Sequence, residues 1–357
     1  MQTVNQHDSL GEKIIAPGKP FKPIYLITAL VVIVSIFFLY DYNRSAERLY
    51  QYHHVTMDTQ VELLLLENSN HKAEQVSNAV FAEMERLENI FSRSLQESEI
   101  SLINRSAGVE PASVGHEMLY VATQANYYAQ LSEGAFDPTI APLIDLWGFL
   151  GQAYRVPSAA EISAVLPLVN YSLVQIDSRR QSIYLPAKKM ALELGGIAKG
   201  YIIDRALAML IAAGVEHAFI NAGGDIGLLG SKPGGSPWQI GVRHPGEENK
   251  IIAVLPVSGG AVVTSGDYQR AFVEEGIKYH HLLNSRSGMP SRDLISVTIY
   301  AETALEADAL STTVFLLGPV EGLALIEKMP GVEGILITPA MEILISDGLA
   351  DLVELEP

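Results

Sequence analysis

The 357-residue chain carries 24 Lys and Arg residues against 41 Asp and Glu residues, a formal net charge of −17, which argues against a nucleic-acid-binding protein because phosphate backbones require a basic surface. Hydrophobic residues make up 48% of the chain, which excludes an intrinsically disordered protein. The absence of cysteine excludes disulfides, thiolate metal sites and a cysteine nucleophile.

An uncharged apolar run occupies residues 24–40 near the N-terminus. Its length, about 17 residues, is at the short end of what spans a bilayer. Lysines precede the run, which favours an N-terminus inside the cell. We therefore expect a short cytoplasmic tail over residues 1–23, an uncleaved transmembrane anchor over residues 24–40 and a connector over residues 41–56. A cleaved signal peptide is the alternative, although no small-residue cleavage pattern follows the run.

Residues 57–357 are predicted to form a single outer domain without internal repeats, facing the cell exterior or, in a Gram-negative bacterium, the periplasm. The apolar periodicity predicts a long strand over residues 55–66 and a helix over residues 72–91. Further helices are expected over residues 116–131, 159–166, 197–213 and 303–317, with one more in the C-terminal tail.

Short strands separated only by turns fill much of the second half of the chain. They are predicted over residues 217–221, 226–229, 238–242, 251–256, 261–264, 279–283 and 294–300, with two more in the tail. Strands connected by short turns pair antiparallel. The sequence therefore predicts an α+β fold with largely antiparallel sheets and packed helices, preceded by one N-terminal transmembrane helix.

The clearest functional signal lies in residues 192–204, where Gly195 and Gly196 separate a predicted strand from a helix with Lys199 in its first turn. Glycines let the backbone approach an anion closely, and a helix start offers unpaired N–H groups and a positive dipole. The segment favours a phosphate site. A glycine turn beside a solvated lysine is the alternative. An acidic protein that binds a phosphate-rich ligand commonly uses a divalent cation to offset the repulsion.

Asp308 and Thr312 stand four residues apart on a predicted helix and therefore share one face. A carboxylate and a hydroxyl, completed by a backbone carbonyl, phosphate oxygens and water, form a ligand set that Mg²⁺ accepts. The alternative is a solvated Asp308 and a Thr312 bonded to its own helix.

Three further segments carry polar residues at turns. Residues 219–227 place Asn221 and Asp225 around a glycine turn, and residues 134–139 contain an Asp-Pro pair. Residues 263–290 contain His280 and His281, which point to opposite faces if they lie on a strand, so that one of them can face a pocket. Turn formation and structural packing are the alternatives, and they suffice to explain each segment when it is taken alone.

Together and in this order, the five motifs resemble those of the ApbE-like FAD:protein FMN transferases, the flavin transferase family. The resemblance implies a magnesium-dependent enzyme that binds FAD, cleaves its pyrophosphate and attaches FMN to a Thr or Ser hydroxyl of a partner flavoprotein, with release of AMP. An FAD pyrophosphatase and a non-catalytic flavin-binding protein are the alternatives.

The resemblance also implies roles for individual residues. The metal ligands would be Asp308, Ser311, Thr312 and the backbone carbonyl of Gly196, and the catalytic base would be His281. The FAD site would be lined by Met57, Ala135, Phe136, Asp137, Glu193, Lys199 and Leu283. The chain departs from the family's usual residues at Asp58, Ser94, Glu193 and Asn284, where the family generally has glycine, an aromatic residue, aspartate and aspartate.

Overall fold

The computed structural model describes residues 47–232, 234–247 and 249–355, and an antiparallel sheet of eight strands forms the centre of this part. The predicted anchor over residues 24–40 and most of the connector lie outside the described residues. Among the described residues, no helix combines the length and apolar character needed to cross a membrane. Residues from Arg48 onward belong to one compact unit.

The helices are α1 (Asn70–Phe91), α2 (Glu99–Arg105), α3 (His116–Leu131), α4 (Ala141–Trp147), α5 (Ala159–Val165), α6 (Ala198–Ala212), α7 (Ala304–Leu317) and α8 (Pro319–Ile326). The strands are β1 (Arg48–Thr56), β2 (Thr59–Glu67), β3 (Ala112–Ser113), β4 (Gln175–Asp177), β5 (Ser182–Tyr184), β6 (Ala218–Ala222), β7 (Asp225–Leu229), β8 (Trp238–Arg243), β9 (Ile251–Val257), β10 (Gly260–Gly266), β11 (Ala271–Glu274), β12 (Ile277–His280), β13 (Ser296–Ala301), β14 (Glu333–Ile337), β15 (Ile343–Ile345) and β16 (Glu354–Leu355).

The central sheet has the strand order β1-β2-β6-β7-β10-β13-β14-β15. Three small sheets accompany it in the described residues, with the orders β11-β12, β16-β9-β8 and β3-β5-β4. The paired strands run antiparallel throughout these residues. The predicted α+β fold with antiparallel sheets and packed helices is confirmed for this part of the chain.

Both faces of the inner strands of the central sheet are buried, and alternate residues of each strand point to the two faces. One face packs against α1, α6 and α7, and this core includes Leu63, Leu65, Met84, Leu87, Ile203 and Phe315. The other face packs against the small sheet of β8 and β9, through Ile226, Leu228, Val262, Trp238, Ile240 and Leu255. Burying each such large side chain contributes about 1.5–3 kcal/mol.

The predicted strand over residues 55–66 is confirmed from Thr59 onward, but its first part is wrong, because the chain reverses at Met57 and Asp58. These two residues have φ angles of 56° and 57°, and Thr56 pairs with Thr59 across the turn. Two consecutive residues with positive φ are typical of the tight turn of a β-hairpin. The sequence lacks the Asn-Gly or Asp-Gly pair that usually predicts such a turn. The hairpin also shows that the sheet begins at Arg48, inside the predicted connector.

Candidate active site

A cleft lies beside the N-terminal end of α6, and all five motifs contribute to its wall. Its lining residues are Ala135, Phe136, Asp137, Ile140, Ile144, Phe149, Glu193, Gly195, Gly196, Lys199, Asp225, Val263, Thr264, Ser265, Gln269, Arg270, His281, Leu282, Leu283, Asp308, Thr312 and Leu316. The structure therefore brings together ten of the twelve site residues implied by the resemblance. Met57 lies in the β1–β2 turn and Ser311 lies behind the wall.

The two helices that carry the central motifs cap each other. Asp308 of α7 accepts a hydrogen bond from the N–H of Gly200 in the first turn of α6, at 2.9 Å. Asp204 of α6 accepts hydrogen bonds from the N–H groups of Ala304 and Leu305 at the start of α7, at 2.7 and 2.9 Å. Each carboxylate satisfies N–H groups that a helix start leaves unpaired and faces the positive end of the helix dipole.

Gly200 permits this arrangement by its lack of a side chain. A Cβ atom at this position would lie 2.2 Å from the carbonyl oxygen of Ala304, far inside contact distance. The close approach of α6 and α7 is therefore possible only with glycine here. It places Lys199, in the first turn of α6, and Asp308 in the wall of one cleft.

Lys199 is bound to Asp225 at the start of β7. The distance between Nζ and Oδ2 is 2.8 Å, and Nζ also donates to the carbonyl oxygen of Ala222 at 3.3 Å. Burial lowers the pKa of Lys199, but the adjacent carboxylate outweighs it and holds the pKa above its ordinary value, so that the ammonium stays charged. Burial raises the pKa of Asp225 despite the pairing.

The predicted metal ligands Gly196, Asp308 and Thr312 lie close together. A Cβ atom on Gly196 would be 3.1 Å from Thr312 Oγ1, and Thr312 Oγ1 is 3.3 Å from Ser265 Oγ. Burial, together with the nearby carboxylate of Asp225, raises the pKa of Asp308 to about 8. Two buried carboxylates thus face a single lysine, and a pKa of about 8 keeps Asp308 largely protonated at pH 7 unless a further cation is bound.

This donor set fits a small divalent cation. Carboxylate, hydroxyl and carbonyl oxygens are the ligands that Mg²⁺ prefers, and an added cation would offset the buried charge of Asp308. The described residues contain no cluster of three or more His, Asp or Glu side chains suited to a metal ion.

Ser311, also predicted as a metal ligand, turns away from the cleft. Its hydroxyl donates to the carbonyl oxygen of Asp308 at 2.9 Å and lies 2.8 Å from Ser265 Oγ. The side chain is fully buried. Ser311 therefore supports Asp308 and Ser265 from within the core.

His281 follows β12 and lies in the cleft wall, as predicted for the base. Its backbone N–H donates to the carbonyl oxygen of Arg270 at 3.1 Å, and its buried Nδ1 has no hydrogen-bond partner within the described residues. Burial, reinforced by the positive charge of Arg270, lowers its pKa to about 3. The ring is therefore neutral at pH 7. The neighbouring His280 packs against Phe315 and bonds through Nε2 to the carbonyl oxygen of Ser291 at 2.8 Å.

The part of the wall formed by residues 136–149 is largely apolar. Phe136 lies against Gly196, and Ile140, Ile144 and Phe149 extend this wall. The carboxylate of Asp137 is engaged within the chain, where it accepts hydrogen bonds from Thr139 and from the backbone N–H of Tyr171. Burial raises the pKa of Asp137. Asp137 therefore holds the loop that presents Phe136.

Several residues of the cleft wall are not among the site residues that the family resemblance implies. Ser265 was part of a recognised motif, and its position beside Thr312 could have suggested a role. Asp225 was recognised as a turn residue, but its pairing with Lys199 was not predicted. Arg270 and the apolar residues of α4 carried no signal, because an arginine or an isoleucine has no distinctive pattern until its neighbours in space are known.

Comparison with known proteins supports the assignment from the motifs. The family model described as "ApbE family" matches residues 57–336. The chain belongs to the ApbE family. An FAD:protein FMN transferase of Klebsiella pneumoniae (strain 342) is similar to this ApbE-family chain, with 34% identity over 85% of this chain and 93% of its own length.

Other members of the ApbE family are also similar to it. An FAD:protein FMN transferase of Treponema pallidum is 31% identical over 77% of this chain and 80% of its own length. The crystal structure of an ApbE protein from Thermotoga maritima, with 34% identity, superimposes with a TM-score of 0.79 and covers 85% of this chain and 99% of that one. The family predicted from the motifs is confirmed.

Proposed function

We propose that this chain is an FAD:protein FMN transferase, which moves FMN from FAD to a Thr or Ser hydroxyl of a partner flavoprotein and releases AMP. The observation that carries the proposal is the convergence in one cleft of an anion-binding helix start, an oxygen donor set for a cation and a neutral histidine. The names of the similar proteins support the same reaction.

Part of the positive charge for the diphosphate comes from the chain itself, and a bound cation would supply the rest. Lys199 and the N-terminal end of α6 face the cleft, where they stabilise an anionic substrate and the charge that develops on the leaving AMP. Electrostatic interactions are stronger here than in water, because the buried surroundings have a lower dielectric constant.

Bound Mg²⁺ would be held by the carboxylate of Asp308, the hydroxyl of Thr312 and the carbonyl oxygen of Gly196. It would neutralise diphosphate charge and thereby weaken the bond to the AMP leaving group. In the transfer step, the acceptor hydroxyl oxygen forms a bond to the FMN phosphorus, and the bond from that phosphorus to the bridging oxygen breaks. His281 is placed to receive the proton of the hydroxyl.

The acceptor is a flavoprotein subunit whose modified hydroxyl lies on the same side of the membrane as this domain. The lysines before residues 24–40 and the length of that apolar run support a single-pass anchor in the cytoplasmic membrane, with the catalytic domain facing the periplasm or the cell exterior.

The test is mass spectrometry of a candidate acceptor after incubation with the enzyme, FAD and Mg²⁺. We expect one FMN phosphoester on the acceptor and an equal amount of AMP. The variant Asp308→Ala, and the wild type in EDTA, should reduce the rate by about a hundredfold or more, since loss of charge stabilisation in a buried site typically costs 3–4 kcal/mol.

The alternatives give different products. Free FMN and AMP without acceptor labelling would indicate an FAD pyrophosphatase. Intact FAD with every acceptor would indicate a flavin-binding protein. Full activity of Asp308→Ala would show that the proposed metal ligands are wrong.

A further inference from the structure

Arg93 connects two segments of the cleft wall, although Arg93 itself does not line the cleft. It lies just after α1, and its side chain is only 8% exposed. Its Nη1 donates to Oε2 of Glu193 at 2.9 Å, and its Nη2 donates to both carboxylate oxygens of Asp145, at 2.8 and 2.7 Å. Glu193 opens the glycine loop, and Asp145 belongs to α4.

The two partners of Arg93 belong to two different segments that contribute to the cleft wall. Residues 193–196 carry the backbone of the predicted phosphate site, whereas α4 supplies Ile144 to the apolar wall. Because one guanidinium group binds a carboxylate from each segment, it limits how far the two segments can separate. The guanidinium is planar and preorganised, so this restraint costs little side-chain entropy.

Glu193 transmits the restraint to the glycine loop. Its Oε2 is held by Arg93, and its Oε1 accepts the backbone N–H of Gly195 at 2.9 Å. Its own N–H donates to the carbonyl oxygen of Pro138 at 2.7 Å. The carboxylate is therefore fixed at both oxygens, and its position determines the orientation of the Gly195 peptide.

We propose that Arg93 is a positioning residue for the diphosphate substrate, which sets the conformation of residues 193–196 and the width of the cleft through Glu193 and Asp145. This inference rests on the proposed function for the identity of the substrate. Arg93 itself lies outside the cleft wall and makes no contact required for the chemistry. Glu193 contacts both Arg93 and Gly195, one with each carboxylate oxygen.

The chain contains a matched control in Arg86. This residue also makes three hydrogen bonds to two carboxylates, those of Glu83 and Glu117, at 2.8 to 2.9 Å. It lies on the exposed side of α1, with a side chain that is 47% exposed, and it is not a cleft residue. Arg86→Met therefore removes the same kind of ion-pair group without touching the site.

The experiment compares Arg93→Met, Arg93→Lys, Glu193→Asp and Arg86→Met in the full-length protein. The readouts are the Kd for FAD from flavin fluorescence, KM and kcat for transfer, and amide hydrogen exchange over residues 192–198. We expect the three variants at positions 93 and 193 to raise Kd and KM for FAD by about tenfold to a hundredfold, as for a displaced binding group. Exchange over residues 192–198 should become faster in all three.

Arg86→Met should leave the Kd and the exchange over residues 192–198 unchanged. Glu193→Asp keeps every charge and the pair between Arg93 and Asp145, so it separates positioning from general destabilisation. Arg93→Lys separates positioning from charge, because an ammonium on a flexible stem keeps the charge but not the planar geometry.

Wild-type FAD affinity in Arg93→Lys, or in a folded Glu193→Asp, would overturn the proposal. So would unchanged hydrogen exchange over residues 192–198 in Arg93→Met. The failure of the proposed function gives a different result. A wild type that binds FAD without transferring FMN disproves the transferase, while the Kd values still decide the role of Arg93. If the wild type does not bind FAD, the exchange data decide whether Arg93 holds the loop.

Discussion

Single residues in the cleft owe their protonation states to their surroundings. Burial favours neutral His281, and it raises the pKa of Asp308 to about 8. The paired Lys199 keeps its charge. A neutral imidazole can accept a proton and a charged ammonium can stabilise an anion, so the states of His281 and Lys199 suit an attack on a phosphorus atom by a hydroxyl group. Asp308 must lose its proton to ligate a cation, and bound Mg²⁺ would favour that loss.

The role of His281 as base predicts a selective loss of turnover. His281→Gln should lower kcat for FMN transfer by about 10²–10⁴-fold and leave the Kd for FAD nearly unchanged, because general-base catalysis acts in the transition state. Because the pKa of His281 is about 3, its protonation should not reduce the wild-type rate between pH 7 and pH 5.

The measurement is steady-state transfer kinetics as a function of pH, with His280→Gln as the neighbouring control. His280 bonds to Ser291 and is absent from the cleft wall described here, so its replacement should affect stability more than kcat. Retention of wild-type kcat in His281→Gln would refute the assigned base.

The pair of helices α6 and α7 is the element on which the site depends. Each helix supplies the carboxylate that caps the other, and Gly200 allows them to meet closely. Burial raises the pKa of Asp204 to about 6, and its hydrogen bonds from α7 only partly offset the cost of burying its charge. The geometry of the cleft is thus maintained at some cost in stability at neutral pH.

The raised pKa of Asp204 predicts how the stability of the protein depends on pH. Its folded-state pKa, about 6, lies above its ordinary value of 3.8, so the folded protein binds more protons than the unfolded chain between these values. The contribution of Asp204 to the free energy of unfolding therefore falls as pH rises through this window, by up to about 3 kcal/mol.

Denaturant unfolding in EDTA at pH 4.5 and pH 7 checks this expectation. Asp204→Asn does not titrate, so it should gain stability relative to the wild type as the pH rises. The exposed Asp351→Asn should show no such change. If the difference in the free energy of unfolding between the wild type and Asp204→Asn does not change with pH, Asp204 is not a carboxylate whose charge is buried on folding.

At the scale of the whole molecule, the central sheet begins with β1 at Arg48, and both of its faces are covered. The residues that line the cleft all lie between positions 135 and 316. The described strand pairs of the central sheet and the residues lining the cleft lie after position 47.

We therefore expect that a chain lacking residues 1–45 folds and turns over FAD at the full-length rate. A chain lacking residues 1–57 loses β1, which pairs with β2 from Arg48 to Thr56. It should melt at a lower temperature and aggregate, because the edge of β2 becomes exposed. Thermal melting measures the stability of the two truncated chains, and gel filtration measures their aggregation. Failure of the shorter deletion to fold would mean that residues 24–40 form part of the core.

Local patterns predicted much of the fold. Helix α3 was predicted at its observed bounds, and α1, α6 and α7 within two residues, because their apolar periodicity and capping residues are local features. Strand positions in the second half of the chain were also close. The β1–β2 turn was missed because neither Met57 nor Asp58 is a residue type that usually marks a left-handed conformation in a hairpin of this kind.

The sequence by itself determined the class of fold, the family and ten of the residues that line the cleft, because these depend on periodicity and on motifs within short segments. Only the tertiary structure decided how the segments meet. Gly200 and Asp308 are 108 positions apart, and Arg93 and Glu193 are 100 apart. Such contacts, like the inward turn of Ser311, result from the packing of distant elements, for which the order of residues in one segment provides no pattern.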